Sequence, residues 1–198
     1  MTWQMLELPN AELRYQPDWL TPAEADTLFD AVRDGVAWER HRIRLFGRDL
    51  DAPRMSCWIG DADAAYTYSR TQYLPRPWPD ALRTLRERLR EELGTDFNGV
   101  LANLYRDGND SMGWHADDEP ELGARPLIAS ISLGATRRFL IRHREDAACR
   151  LAIELGHGSL LSMGGDIQLH YRHALPKTGR PVGTRINLTF RRLLPASG

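Results

Sequence analysis

From Gly99 onward the chain divides into about eight short segments rich in β-branched and aliphatic residues, each bounded by glycine or charged turns. Apolar runs of that length with frequent turn signals favour antiparallel strands over helices. They fall at 99–105, 112–117, 127–133, 137–142, 150–155, 158–163, 170–175 and 184–193. So many short strands must bury their apolar faces against a second sheet, which predicts a two-sheet sandwich or jelly roll. The preceding residues have another period. Thr21-Pro22-Ala23-Glu24 joins an N-cap, a first-turn proline and a capping-box glutamate, predicting a helix to about Asp34. Leu82, Leu85, Leu89 and Leu93 share one face of a second helix from Asp80 to Leu93, closed by Gly94. The expected fold is therefore mainly β (α+β), with residues 1–95 buttressing a β core over 96–194 in a single domain spanning 1–198. Pro75 to Pro79 reads as a rigid loop inside that domain, and no repeat or low-complexity tract divides it.

Charge and cysteine usage narrow the partners and the compartment. With 26 Lys and Arg against 27 Asp and Glu, the net charge of -1 provides no overall basic field, so any contact with nucleic acid must use a local patch. Lys177 is the only lysine, which leaves arginine to carry nearly all the positive charge. Cys57 and Cys149 lie far apart with no metal-binding spacing and fit a reducing compartment. Met1 to Tyr15 lacks an apolar signal core, and no stretch reaches the roughly 18 apolar residues of a membrane span. A monomer in the cytoplasm, away from membranes, is the expectation.

His115-Ala116-Asp117 places two ligand types at i and i+2, so on a strand both face one way while Trp114 and Ala116 face the other. His173, on a late segment, supplies a third group. Two histidines and one carboxylate form the facial set that leaves positions open on non-haem Fe(II). His170 stands three residues from His173 and, on a strand, points to the opposite face. His41, His143 and His157 read as loop or strand positions without a ligand role. The same three ligands also suit a hydrolytic zinc, so they do not decide between oxygenation and hydrolysis.

The last segment bears on that choice. In Arg185-Ile186-Asn187-Leu188-Thr189-Phe190-Arg191 the polar residues share one parity and the apolar residues the other. If the polar face points into the sandwich, Arg185 and Arg191 become buried cations that need anionic partners, and a dicarboxylate supplies both. Asn103 and Tyr105 add hydrogen-bonding tips on one face of an earlier strand. The combination predicts a pocket for 2-oxoglutarate.

In order, Asn103-Leu104-Tyr105, His115-Ala116-Asp117-Asp118-Glu119, His157-Gly158-Ser159-Leu160-Leu161, His173-Ala174-Leu175-Pro176 and Arg185 to Arg191 resemble the AlkB family of 2-oxoglutarate oxygenases over roughly residues 40–193. The resemblance is to its duplex-acting branch. It implies a double-stranded β-helix jelly roll with a nucleotide-recognition extension among residues 1–95. It also implies Fe(II) as cofactor, 2-oxoglutarate and O2 as cosubstrates, and oxidative removal of alkyl groups from bases such as 1-methyladenine and 3-methylcytosine. Arg185, Asn103 and Tyr105 would hold the far carboxylate and Arg191 the metal end, or the two arginines the reverse, with Asn187 and Thr189 on the same wall. Tyr66 and Tyr68 match base-contacting aromatics, Asp118 and then Glu119 would meet the base edge, and Phe46 would wedge into the stack while Arg54 holds phosphate. Arg137, Arg138, Arg142 and Arg144 form a second basic stretch for the opposite strand. The implied partner is alkylated DNA, double-stranded in preference. Gly164-Gly165-Asp166-Ile167-Gln168 and Arg172 depart from the eukaryotic duplex enzymes and leave the preferred lesion open. Rival readings are the same chemistry on RNA or a protein side chain, or a non-catalytic damage-binding module.

Overall fold

The structure, a computed structural model, describes residues 2–45, 48–64, 66–68 and 71–195, with the backbone alone described for 42–45, 48–50, 66–68 and 71–73. Its first half runs β1 (Gln4–Leu6), β2 (Ala11–Gln16), α1 (Pro22–Gly35), β3 (Arg42–Leu45), β4 (Arg48–Asp51), β5 (Met55–Gly60), β6 (Tyr66–Tyr68), β7 (Thr71–Tyr73) and α2 (Asp80–Leu93). The second half adds β8 (Gly99–Tyr105), β9 (Met112–His115), β10 (Ile128–Gly134), β11 (Arg137–His143), β12 (Arg150–Leu155), β13 (Ser159–Gly165), α3 (Ile167–His170), β14 (Tyr171–Leu175) and β15 (Arg185–Arg191).

Both expected helices form for the expected reasons. Thr21 Oγ1 accepts from the Glu24 amide while Glu24 accepts from the Thr21 amide, and Ala25, Leu28 and Val32 turn inward from α1. Gly94 ends α2 in the left-handed conformation at φ 68°, and Leu82, Leu85 and Leu89 are buried.

The strands form a seven-stranded sheet ordered β1-β2-β13-β10-β15-β8-β5 and a four-stranded sheet ordered β12-β11-β14-β9, with antiparallel pairing throughout. Ile186, Leu188 and Phe190 of β15 join the layer beneath α1 and α2, together with Leu28, Leu82 and Leu89. A second apolar cluster, including Ile128, Ile141, Ile153 and Leu161, lies between the sheets. Both faces of β15 are therefore covered, and its polar parity points into the sandwich rather than to water.

Three expectations need correction. Residues 1–60 contribute β1, β2 and β5 to the large sheet, so the first part of the chain extends the sandwich as well as buttressing it. The segment 112–117 is strand only to His115, and Asp117 sits in irregular backbone. The segment 170–175 opens with a turn of helix, so His170 closes α3 and is not part of a strand. Among the described residues no helix is long and apolar enough to cross a membrane.

Candidate metal centre and adjoining cavity

His115 and His173 are brought together because β9 and β14 are neighbours and the two residues are direct register partners. Their rings meet edge to face at 4.2 Å between centroids. Asp117 completes the group two residues beyond the end of β9, and the potential ligand atoms of all three lie within 4.8 Å of one another. Among the described residues this is the one cluster of three metal-ligating side chains. His173 Nε2 lies 3.7 Å from Asp117 Oδ2, and His115 Nδ1 faces the Gly113 carbonyl at 2.9 Å. That contact assigns the proton to Nδ1 and leaves Nε2 of His115 as a ligand.

Asp117 is held from two sides. Its amide donates to Gln168 Oε1 at 2.9 Å, and its carboxylate pairs with the Arg191 guanidinium, which is as fully buried. Burial alone would raise the Asp117 pKa, but Arg191, then His173 and His115, outweigh it and keep the carboxyl below its ordinary value. Burial, reinforced by the neighbouring His115, drives the His173 pKa down to about 3, and burial also lowers that of His115. The donor set is one carboxylate and two neutral imidazoles, in the state that binds a divalent metal.

The cavity beside this cluster is lined by Asn103, Tyr105, Arg185, Asn187, Thr189 and Arg191, together with the triad itself. Phe139, Leu155, Met163 and Leu175 give it apolar walls. Asn187 Nδ2 donates to Ser130 Oγ at 2.8 Å, Thr189 Oγ1 donates to Asn187 Oδ1 at 2.9 Å, and Arg185 Nη2 donates to Ser132 Oγ at 2.8 Å. Arg185 is 1% exposed, its Nε is buried without an acceptor, and its guanidinium carbon lies 5.5 Å from the Tyr105 ring. Burial lowers its pKa to about 10, against the opposing pull of Tyr105. Among the described residues the Tyr105 hydroxyl meets only the Met112 sulfur, at 4.0 Å. An incompletely bonded arginine and a phenol with spare capacity at one end, and a metal triad at the other, fit a ligand with a carboxylate at each end.

The substrate-side residues are more dispersed. Arg54 is buried and its Nε donates to Asn103 Oδ1 at 2.9 Å, so it backs a residue of the cavity wall instead of presenting itself to solvent as a phosphate grip would. Asp118 and Glu119 share a surface hollow with Trp114, His115, Arg144 and Arg172. Arg144 donates to Asp118 Oδ2 at 2.7 Å and to the Gln168 carbonyl at 3.0 Å. Arg137, expected in a basic stretch, is 3% exposed and turned inward, which removes it from any outer surface. Arg138 and Arg142 are exposed as expected, and Arg142 stacks 4.0 Å above Trp114. Phe46 lies outside the described residues, as do the side chains of Tyr66 and Tyr68 on β6.

Sequence reasoning missed Ser130, Ser132 and Gln168. The two serines had a signal, since Ser130-Ile131-Ser132-Leu133 alternates in the same way as β15. Gln168 had none, because its partner lies 51 residues away.

Comparison with known proteins agrees with this arrangement. The family model described as 2OG-Fe(II) oxygenase superfamily matches residues 12–191. The chain is 39% identical over 183 residues to DNA oxidative demethylase ALKBH2 of Mus musculus, covering 87% of this chain and 77% of that protein. It is also 39% identical over 188 residues to alpha-ketoglutarate-dependent dioxygenase alkB homolog 3 of Homo sapiens, covering 90% of this chain but only 65% of the longer relative. The solved structure of OsALKBH1 aligns over 96% of this chain with a TM-score of 0.62 at 18% identity, a likeness of fold.

Proposed function

The chain belongs to the AlkB family within the 2OG-Fe(II) oxygenase superfamily, and from that premise we propose that it removes alkyl groups oxidatively from N-alkylated bases of DNA, with duplex DNA preferred. The observation that carries the reading is the single cavity in which the His115, Asp117 and His173 cluster meets the inward polar face of β15. Hydrolysis by a metal-bound water does not in itself require a buried arginine stripe beside the metal. A dicarboxylate cosubstrate does.

His115 Nε2, Asp117 and His173 would hold Fe(II). When bound, Fe(II) with O2 and 2-oxoglutarate supplies the oxidising power that hydroxylates the alkyl carbon, leaving succinate and carbon dioxide. The chain's own residues place and protect that chemistry. Arg185 and the Tyr105 hydroxyl receive one carboxylate of the cosubstrate, and Arg191, already against Asp117, stands at the metal end. Arg54 orients Asn103 through its Oδ1, leaving the Asn103 amide to donate into the cavity. The apolar walls exclude water and so strengthen each of these charge contacts. Asp118 keeps Oδ1 for the exocyclic amine or the positive charge of a methylated base, because Arg144 engages Oδ2. The hydroxylated group then leaves as an aldehyde when its C–N bond breaks.

A base in a duplex must leave the stack to reach this site, and Phe46 is the residue to fill the gap, with Tyr66 and Tyr68 as walls for the flipped base and Glu119 beside Asp118 at the rim. The name of the Mus musculus relative, DNA oxidative demethylase ALKBH2, supports DNA as substrate.

The test uses matched single- and double-stranded DNA, and RNA, each carrying 1-methyladenine or 3-methylcytosine, with product masses and succinate measured. Wild-type protein should demethylate the duplex and make succinate, and His115→Ala should do neither. Phe46→Ala should lose far more activity on duplex than on single strands. Equal losses on both would remove the wedge, and absence of succinate from wild-type protein would remove the enzymatic reading.

A further inference from the structure

We propose that Arg137 is a positioning residue for the cosubstrate end of the cavity, a buried clasp that holds two loops so that Tyr105 and Arg185 converge on one carboxylate. Arg137 begins β11 and points between the sheets. Its Nη1 donates to the Asp107 carbonyl at 3.1 Å, and its Nη2 donates to the carbonyls of Asp110 at 3.0 Å and Pro176 at 2.6 Å. The first two acceptors belong to the loop that joins Tyr105 at the end of β8 to β9 and its His115. The third begins the loop that joins β14 and its His173 to Arg185 at the start of β15. One guanidinium thus ties together the connections that carry both arms of the carboxylate grip and two of the metal ligands.

Few other contacts share this task. Thr178 N donates to the Gly108 carbonyl at 2.9 Å, and Thr184 Oγ1 reaches the Arg106 carbonyl at 3.4 Å. The loops already touch closely, since a Cβ on Gly108 would stand 2.5 Å from the Thr178 carbonyl, so a small opening there moves both chains. Charge supports the same assignment. Neither Arg137 nor Arg185 has a carboxylate within ion-pair distance among the described residues; burial works against both cations, offset at Arg185 by Tyr105 and at Arg137 by Tyr105 with the more distant Asp110 and Asp107. Two buried cations beside one phenol are costly in the empty protein. A dianionic ligand relieves that cost, and so is favoured where the clasp keeps the pair in place.

The inference rests on the reading of the cavity as the 2-oxoglutarate site, and the test separates the two. Full-length protein is loaded with Mn(II) in place of iron, so that no turnover intervenes, and 2-oxoglutarate binding is measured by titration calorimetry for wild type, Arg137→Lys, Arg137→Met and Arg185→Met. Lysine has one nitrogen where the three carbonyls are met by two, so both Arg137 variants should weaken 2-oxoglutarate binding on the order of tenfold, with Mn(II) affinity unchanged. Wild-type affinity in Arg137→Met, or its restoration by Arg137→Lys, would overturn the clasp. A measurement on wild type covers variants that do not fold. Hydrogen exchange at residues 106–111 and 176–184 should slow when 2-oxoglutarate binds, and unchanged exchange in both loops overturns the proposal. Failure of wild type to bind 2-oxoglutarate would instead overturn the cavity reading.

Discussion

Asp117 stands in a loop, yet its position is defined from three directions: Arg191 on the carboxylate, Gln168 on the amide, and His173 beside Oδ2. The two histidines beside it are neutral chiefly because burial penalises their charged forms, with the neighbouring His115 adding to this at His173 and Arg191 contributing less. This has a measurable consequence for metal-free protein. An unfolded chain protonates its histidines near pH 6.5, whereas His173 in the fold stays neutral down to about pH 3. The unfolded state therefore binds more protons across that window, and stability is complete above about pH 6.5 and falls as pH drops below it. Each such histidine contributes a slope of up to about 1.4 kcal/mol per pH unit. Denaturant titrations of the apo protein between these limits should show that slope, and His173→Gln should make it shallower. An equal slope in the variant would mean that His173 protonates as readily in the folded state. Bound divalent metal should extend the stable range toward lower pH, since it competes with protons for the same nitrogens.

At the scale of elements, β15 and the two helices were legible because their signals are periodic and local: a two-residue alternation, a capping box and a leucine face. The pair His115 and Asp117 was found through a strand reading that holds only to His115. What replaces the missing strand is α3, a single turn whose Gln168 holds the Asp117 amide and whose backbone anchors Arg144. Partners of this kind around a ligand typically matter about 10- to 100-fold for metal affinity. Gln168→Ala should accordingly weaken Mn(II) binding by about that factor, with a smaller change in thermal stability than in affinity. Unchanged metal affinity in a folded variant would reduce Gln168 to a packing role. No pattern in the sequence could identify it, because a glutamine in a four-residue helix has no period to display.

The whole molecule carries a net charge of -1, so contact with a nucleic acid depends on where its arginines collect. On the outer face of the four-stranded sheet, Arg142 is the register partner of Arg150 on one side and Arg172 on the other, and it stacks on the half-exposed Trp114. Like charges directly opposed across strands are unfavourable, which a polyanion laid over them would offset. Replacing Arg142 and Arg172 together by alanine should weaken oligonucleotide binding and reduce its salt dependence, by about 0.9 in the log-log slope for each phosphate that is no longer neutralised. Mn(II) and 2-oxoglutarate affinities should not change. A wild-type salt slope in the double variant would place the nucleic acid elsewhere. The sequence by itself determined the strand-rich class, the two helices, the pair His115 and Asp117 and the two-faced last strand, because alternation, capping and spacing act over a few residues, and the order of the motifs along the chain singled out His173. Only the tertiary structure decided that Arg54 and Arg137 are internal, that Gln168 steadies Asp117, and that Ser130 and Ser132 meet the polar face of β15. Those contacts join residues far apart in the chain. Their partners are selected by burial, where every polar group must find an acceptor or donor, and that selection begins only once the two sheets have closed.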